Sequence, residues 1–173
     1  YTLSSVSPGI EREYIREQLQ ANERQLALVN ELMLVMTSSI DISDAFKRFS
    51  DQLAEVLPID WAAICLADED ELSILASNET TAAPWQAQDR LPLAGTGTET
   101  AMKQQRAIYE PDLAKAHAFS TGERHLKQGI RSIIYLPLIH AGKGLGSLTL
   151  GSRYPQAYKD EQIKLLELLA MQV

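Results

Sequence analysis

Residues 129–151 read GIRSIIYLPLIHAGKGLGSLTLG and contain the clearest structural signal in the chain. Two β-prone runs, Ser132–Ile139 and Leu145–Leu150, flank a short connection that contains two glycines. Runs of this length with glycine at the bend are typical of a β-hairpin. Pro137 lies inside the first run, where it removes one ladder donor and therefore predicts a local irregularity. We expect two adjacent antiparallel strands here.

Helices and further strands are predicted on both sides of this hairpin. The apolar helical period of Lys159–Val173 predicts a closing helix with a wide buried side. Upstream, Ser43 is the predicted N-cap of a helix over Asp44–Val56, which Pro58 ends. The other predicted strands are Asp60–Ala67, Leu72–Ser77, Arg90–Leu93 and Ala107–Tyr109, and the other predicted helices are Glu99–Gln105, with Thr98 as its cap, and Glu123–Gln128.

Alternation along the strands predicts a sheet with two unlike faces. One face is large and aliphatic, and no segment other than the terminal helices is apolar enough to cover it. The opposite face is small and faintly polar, so the irregular middle of the chain must cover it as a canopy of loops and short helices. Small side chains below a canopy leave volume for a small ligand. The large face contains Ile64, Leu66, Leu148 and Leu150, and the small face contains Ala63, Cys65, Ser147 and Thr149.

The composition narrows the classes of function. The chain has 173 residues, a hydrophobic content of 45% and a net charge of −7, which indicate a globular protein with a real core. The negative charge argues against nucleic acid or an anionic membrane surface as a partner, because both require a basic surface. No apolar run reaches the ~18–20 residues of a membrane helix, and a cytoplasmic location is expected. Cys65 is the one cysteine, which excludes an intrachain disulfide and a multi-cysteine metal site.

The N-terminal part of the chain predicts a dimerisation helix. Residues 1–9 are polar and end in Pro-Gly, so they are expected to form a linker or tail. Residues 10–39 contain neither Gly nor Pro, and their apolar residues recur in alternating steps of four and three, as in a coiled coil. The narrow stripe favours a homodimer through this helix; the alternative is that it packs inside one subunit. The predicted dimer seam is Ile15, Leu19, Asn22, Leu26, Val29, Met33, Met36 and Ile40.

From Ile40 to Val173 the order of these elements resembles a GAF domain. The resemblance rests on the step Gly129–Ser132 into an apolar strand ending Pro137-Leu138, on the strand Gly146–Leu150, and on the closing helix after Tyr158. It implies an α+β fold: a central antiparallel six-stranded sheet with terminal helices on one face and loops and short helices on the other. Residues 40–173 are therefore expected to form one GAF-like domain, preceded by a coiled-coil signalling helix over residues 10–39.

The resemblance also implies a function. GAF domains are sensory or regulatory parts of larger signalling proteins such as the sensor histidine kinases of two-component systems. We expect the chain to bind an unknown small molecule between sheet and canopy and to relay the change through dimeric terminal helices to an effector domain in the same longer chain. The alternative is a ligand-free dimerisation and relay module, in which Phe119, Tyr109 or Leu113 fills the cavity.

Catalysis is not expected, because the sequence supplies no catalytic pair. Cys65 lies among apolar strand residues, as a buried and unreactive thiol does. Family members that carry a bilin attach it through a cysteine in the pocket region. Residues 78–131 contain no cysteine, so covalent bilin is not expected and any cofactor stays unidentified. His117, His125 and His140 show no metal-binding spacing, but His117 and His125 fall in the canopy and are possible ligand contacts or haem ligands.

The candidate ligand-binding residues come from the small face of the sheet, from the canopy and from the rim of the expected cavity. Gly95–Thr98 resembles a phosphate cradle only loosely, although as a helix N-terminus it is a candidate anion site. Arg131 and Asp112 are rim candidates or, alternatively, ordinary surface charges. The full candidate set is Ala63, Cys65, Thr98, Tyr109, Asp112, Phe119, His125, Arg131, Ser147 and Thr149.

Overall fold

Six antiparallel strands form one sheet at the centre of the described part of the chain. The computed structural model describes residues 9, 12–20, 42–78, 84–85 and 88–171. In chain order the elements are α1 (Ile42–Ala54), β1 (Trp61–Asp68), β2 (Glu71–Ser77), β3 (Arg90–Pro92), α2 (Gly97–Gln104), β4 (Ile108–Glu110), α3 (Gly122–Lys127), β5 (Ser132–His140), β6 (Lys143–Ser152) and α4 (Asp160–Met171).

The predicted hairpin is β5–β6, and it lies inside the sheet. The spatial order is β3-β2-β1-β6-β5-β4, so β6 pairs with β1 on one side and with β5 on the other. Pro137 pairs with Ser147, and the register shifts between Leu138 and Ile139. The irregularity predicted at Pro137 therefore occurs one residue further along the strand, where β6 contributes Leu145 as an extra residue between Gly144 and Gly146.

The helices at the two ends of the domain cover one face of the sheet. Phe46 and Phe49 of α1 are almost completely buried, and burying each such side chain contributes roughly 1.5–3 kcal/mol to folding. Tyr158 and Leu166 cover the same face from the α4 end of the chain. The predicted α+β fold, with terminal helices on one face, is confirmed. The strand residues below these helices are Ala62, Ile64, Ala76, Ile134, Leu136, Leu138, Leu148 and Leu150.

The other face lies beneath α2, α3 and the loops around them, which form the canopy. Leu113 and Ile130 of the canopy are buried against this face, and Ala101 anchors α2. The small residues of β1 and β6 lie on this face, as the strand pattern predicts. The prediction of a small face is wrong for the rest of the sheet, because β2 and β5 place large apolar and aromatic side chains there. The strand side chains on the canopy face include Trp61, Ala63 and Cys65 of β1, Leu72 and Ile74 of β2, and Ile133 and Tyr135 of β5.

Two predicted helix caps are wrong, and each error has a local cause. α1 already includes Ile42, so Ser43 lies within its first turn. The N-cap of α2 is Thr96, not Thr98, because Thr96 Oγ1 accepts a hydrogen bond from Glu99 N at 3.2 Å. Gly95 N donates in turn to Glu99 Oε1 at 3.2 Å. This reciprocal arrangement resembles a capping box and fixes the start of α2 two residues earlier than predicted.

The predicted dimer helix falls only partly within the described residues. Gly9 and residues 12–20 are helical, so Gly9 belongs to a helix and not to the predicted linker. Ile15 and Leu19 of the predicted seam are 51% and 55% exposed in the subunit. The remaining seam residues, Asn22, Leu26, Val29, Met33, Met36 and Ile40, lie outside the described residues.

A search of the described residues for a helix long and apolar enough to cross a membrane finds none.

Candidate functional site

A small cavity lies between the sheet and the canopy. Its volume is about 20 Å³, which gives room for a single water molecule. Strands β1, β2, β3, β5 and β6 supply its floor and sides, and the canopy closes it. The lining residues are Trp61, Cys65, Leu72, Ile74, Trp85, Leu91, Thr96, Thr98, Thr121, His125, Tyr135 and Thr149.

Hydroxyl groups and one thiol form the floor of the cavity. Thr98 and Ser147 share a hydrogen bond of 2.8 Å, and Ser147 shares another of 3.1 Å with Thr149. Cys65 Sγ lies 3.9 Å from Thr149 Oγ1. Burial raises the pKa of the Cys65 thiol to about 11, and the hydroxyl groups oppose this shift only weakly. The floor groups satisfy one another and join α2 to the middle of the sheet.

The N-terminus of α2 is packed too closely to act as an open anion cradle. Gly97 lies against the Tyr135 ring, and a Cβ at this position would overlap the ring. Glu99 N donates to Thr96, and Gly95 N donates to Glu99, so two of the amides have partners within the segment. The candidate anion site at Gly95–Thr98 therefore lacks open space beside Gly97, and two amides of this helix N-terminus are already bonded.

Aromatic rings form one wall of the cavity. The imidazole of His125 lies between two indoles, with ring centroids 5.5 Å from Trp61 and 4.9 Å from Trp85. The two indoles are 6.3 Å apart. Tyr135 is held from the side by Phe119, whose ring meets it edge-on at 5.7 Å. Side chains from β1, β5, α3 and the loop before β3 thus meet at one place.

Within the part of the chain that the structure describes, five buried polar atoms of the lining residues have no hydrogen-bond partner: Trp61 Nε1, Thr121 Oγ1, both ring nitrogens of His125 and Tyr135 OH. These four side chains are at most 8% exposed. Each unpaired group costs about 1–3 kcal/mol, and folded proteins rarely collect several in one place. The sixth such atom in the described residues is Glu110 Oε1. Unpaired polar groups are therefore concentrated at this cavity.

The titratable groups of the cavity are held in their neutral forms. Burial, with a smaller contribution from the nearby Arg124 charge, lowers the pKa of His125 to about 3. Burial raises the pKa of Tyr135. The Thr121 hydroxyl is close enough to oppose this shift in part, although the geometry between the two hydroxyls does not qualify as a hydrogen bond. Among the described lining residues none is Asp, Glu, Lys or Arg. The cavity is electrically neutral near pH 7.

Arg124 holds Trp85 at the cavity from outside. Its Nε donates to the carbonyl oxygen of Pro84 at 2.6 Å. Its guanidinium carbon lies 4.7 Å from the centroid of the Trp85 ring, which is cation–π geometry. One side chain of α3 therefore holds both the Pro84 carbonyl and the ring of Trp85, the residue that covers His125.

Four of the ten predicted site residues line the cavity: Cys65, Thr98, His125 and Thr149. Ala63 and Phe119 belong to the same apolar layer, and Ser147 lies in the hydroxyl network of the floor. These three support the cavity without lining it.

Tyr109, Asp112 and Arg131 lie elsewhere, and their placement corrects the prediction. Tyr109 packs on the helix face, with its ring edge-on to Tyr158 at 5.9 Å, because the residues on either side of it in β4 face the canopy. Arg131 donates to both carboxylate oxygens of Asp112 at 3.0–3.1 Å. Desolvation opposes the shift, but these bonds lower the pKa of Asp112. The pair joins the end of β4 to the start of β5.

The ten predicted site residues leave out five polar or aromatic residues of the cavity, of which Thr96 lies within the candidate anion stretch Gly95–Thr98. Trp61, Ala63 and Cys65 alternate along β1 and therefore lie on the same face of the sheet. The alternation of β1 could have identified Trp61 as a cavity residue. Tyr135 faces the cavity because it pairs with Thr149, and this register is not visible in the sequence. Trp85 and Thr121 lie outside the regular elements, and no sequence pattern marks them. No group of three or more metal-ligating side chains occurs among the described residues.

Comparison with known families and structures agrees with this fold. Residues 39–173 match the family model described as GAF domain. The comparison with curated proteins gives no match. Among solved structures, the chain is similar to the GAF domain of a two-component sensor histidine kinase from Bacillus halodurans, with a TM-score of 0.62 and 16% identity over 75% of this chain and 89% of that one.

Two further structures show the range of proteins that share the fold. The free methionine-R-sulfoxide reductase from Neisseria meningitidis, solved with its substrate, has a TM-score of 0.62 and 19% identity over 83% of this chain and 81% of that one. The chromophore-binding domain of a bacteriophytochrome from R. palustris has a TM-score of 0.62 and 10% identity over 88% of this chain. The chain spans 59% of that domain's length. At these identities the likeness concerns the fold alone.

Proposed function

The chain belongs to the GAF-domain family of sensory and regulatory domains, and we propose that it binds a small molecule in the cavity between sheet and canopy. Binding shifts the packing of the terminal helices, which relay the change to an effector domain in the same longer protein. In this proposal the chain is a homodimer, and Ile15 and Leu19 are part of its contact.

The unpaired polar atoms of the cavity carry this proposal. A module that only joins other domains gains nothing from burying five polar atoms without partners, since apolar groups of the same shape would stabilise it more. A binding site gains specificity from such atoms, because a ligand that pairs with them recovers the cost of burying them. Their convergence on one cavity therefore supports binding.

The strands offer a short route from the cavity to the helices. Thr149 lines the cavity, while its neighbours Leu148 and Leu150 pack below the helices. On β1, Cys65 lines the cavity and Ile64 packs below the helices. A ligand acts through this route only if it binds two arrangements of the sheet with different affinity. Movement of these two strands is the expected link between binding and output.

The same geometry supports a role in binding and not in catalysis. The Cys65 thiol has a pKa of about 11, so it is a poor nucleophile near pH 7. His125 has a pKa of about 3, so it is a weak general base. Because the family fold includes a methionine sulfoxide reductase, incubation with free methionine-R-sulfoxide and a thiol reductant is the direct activity test, and we expect no turnover.

A thermal-shift screen tests the binding proposal. At a free concentration of about one hundred times its Kd, a ligand adds about 2.7 kcal/mol to the free energy of unfolding. We expect at least one metabolite to raise the melting temperature of the wild type. The His125→Phe variant, which keeps a ring but removes both ring nitrogens, should lose this shift. His140→Phe, at the exposed end of β5, is the matched control and should keep it. A shift that survives in His125→Phe would exclude this cavity.

The ligand-free relay module is the second candidate, and the small volume of the cavity favours it. Leu113 is fully buried in the canopy and Phe119 packs on Tyr135, so two of the three residues expected to fill the volume do lie in this layer. If this candidate is correct, no compound shifts the melting temperature. An experimental structure would then show ordered water bonded to His125, Thr121 and Tyr135.

A further inference from the structure

The aromatic wall shows which shape of ligand the cavity accepts. Trp85 is the largest canopy side chain at the cavity, and its indole meets the His125 ring at 71° with centroids 4.9 Å apart. The free volume of about 20 Å³ is far smaller than an indole. A ligand larger than water therefore needs the space that the Trp85 ring occupies. A flat ring system placed there keeps the contacts with His125 and Trp61 that the indole makes.

The unpaired atoms show which polar groups the ligand carries. Trp61 Nε1 is a donor only, so it requires an acceptor on the ligand. Neutral His125 presents one donor and one acceptor, and both nitrogens are unpaired. Thr121 and Tyr135 each add a hydroxyl. One water molecule cannot pair with all of these atoms, whereas a ring with an amide or lactam group offers both an acceptor and a donor.

Among the described residues, the lining of the cavity gives an ion of either sign no charged partner. The described lining residues contain no cationic side chain that would balance a carboxylate or phosphate. Glu110, whose charge contributes to the raised pKa of Tyr135, repels an anion, and Arg124, whose charge contributes to the lowered pKa of His125, attracts one but already donates to the Pro84 carbonyl oxygen. A cation in the Trp85 position would lie against the Arg124 guanidinium, whose carbon is 4.7 Å from the ring centroid, and would be repelled by it. A cation would also leave the Trp61 N–H, which needs an acceptor, unpaired.

We propose that the cavity binds an uncharged, flat aromatic or heteroaromatic molecule that carries a hydrogen-bond acceptor and donor, and that this molecule takes the position of the Trp85 indole beside His125. The proposal rests on the proposed function, because it names the class of ligand for the same site. It assigns Trp85 a second role, as the side chain that fills the site in the absence of ligand.

Three indoles of matched shape test the charge and polarity of the ligand. Indole-3-carboxamide is neutral, indole-3-carboxylate is an anion and 3-(aminomethyl)indole is a cation at pH 7. Isothermal titration calorimetry with the whole chain measures their affinities for the wild type and for Trp85→Ala, which empties the indole position. We expect the carboxamide to bind the wild type at millimolar concentration and Trp85→Ala about tenfold or more tightly. The carboxylate and the amine should bind each protein about tenfold or more weakly than the carboxamide.

Two variants in the Trp85→Ala background show whether the probe lies in the cavity. Tyr135→Phe removes one hydroxyl with almost no change of shape, and His125→Phe removes both ring nitrogens. Each should weaken binding of the carboxamide several-fold, while His140→Phe should leave it unchanged. Tyr135→Phe keeps the test valid if His125→Phe does not fold.

The outcomes separate this inference from the proposed function. If the carboxylate or the amine binds as tightly as the carboxamide, and Tyr135→Phe weakens it, the site binds ligands but the neutral class is wrong. If Trp85→Ala does not improve binding of the carboxamide, exchange with the indole is wrong. If neither protein binds any of the three indoles and no screened metabolite shifts the wild type, both proposals fail.

Discussion

The Trp85 indole lies edge-on to the His125 imidazole, with ring centroids 4.9 Å apart and an angle of 71° between the planes. Both nitrogens of that imidazole lack hydrogen-bond partners. The ring contacts stabilise the fold, but the two unpaired nitrogens oppose that gain with the cost of their burial. The unpaired nitrogens beside this contact are the observation on which the proposed binding function rests.

Replacing Tyr135 by Phe should leave the fold as stable or make it more stable, because Tyr135 OH is buried without a partner. We expect the free energy of unfolding to rise by up to about 1 kcal/mol. Tyr158→Phe is the matched control, since Tyr158 OH donates to the carbonyl oxygen of Pro58 at 2.9 Å, and its loss should cost about 1 kcal/mol. Urea denaturation measures both. Equal losses in the two variants would show that Tyr135 OH has a partner in solution.

Acid should destabilise the fold through His125. Its pKa falls from 6.5 to about 3 on folding, so between these values the unfolded chain binds a proton that the folded chain does not. The free energy of unfolding therefore decreases as pH falls below about 6.5, with a slope approaching about 1.4 kcal/mol per pH unit. Urea titrations at pH 7 and pH 5 measure the slope.

The His125→Phe variant is the control for that pH dependence. Other groups contribute in both proteins: Glu110, whose pKa is raised by burial, acts in the opposite direction to His125. Asp112, whose pKa is lowered in the fold, loses its stabilising effect only at lower pH. The difference between wild type and variant isolates the histidine. Identical pH profiles would mean that His125 can take up a proton in the folded state.

Arg124→Gln should loosen Trp85 and favour ligand binding. The substitution removes the cation–π contact and the bond to the Pro84 carbonyl. We expect the affinity for indole-3-carboxamide to increase about two- to fivefold, because the cation–π contact that holds Trp85 is worth about 0.5–1 kcal/mol. The chain has two tryptophans and both line the cavity, so intrinsic fluorescence should shift to longer wavelength. Arg106→Gln, at an exposed position, should change neither quantity. Weaker binding in Arg124→Gln would place Arg124 in the site itself.

The dimer seam is tested by charges at its described positions. Ile15 and Leu19 are half exposed in the subunit, and glutamates at both positions would bury charge in a dimer contact. We expect the double variant Ile15→Glu, Leu19→Glu to sediment at half the mass of the wild type. Its melting-temperature response to ligands at the cavity should remain. An unchanged mass would show that the seam is not the dimer contact.

The sheet was predictable because its information is local. A run of residues that alternates large and small side chains defines both faces at once, and the glycine turn defines the pairing of β5 with β6. This is why Cys65 and Thr149 were assigned to the cavity from sequence. Ile64 and Leu148 occupy the alternate positions of the same strands, and the sequence therefore predicts them on the opposite face, below the helices.

The contents of the canopy were not predictable, because they depend on contacts between distant segments. Trp85 is held by Arg124, which also bonds to the carbonyl oxygen of Pro84, forty residues away in the sequence. Tyr109 was assigned to the wrong face because β4 has three residues, too few for alternation to define a parity. Only the pairing of Tyr109 with Ile134 on β5 does so.

The indole N–H resonances of Trp61 and Trp85 provide the most direct test of ligand binding in the cavity. A ¹H–¹⁵N spectrum of the labelled chain shows both tryptophans, and Trp85→Ala assigns them. When unlabelled indole-3-carboxamide is added, we expect the Trp61 resonance to move downfield and saturate, as its unpaired N–H gains an acceptor. If the Trp61 resonance stays in place while amides elsewhere move, or moves equally with indole-3-carboxylate, the cavity is not the neutral ligand site proposed here.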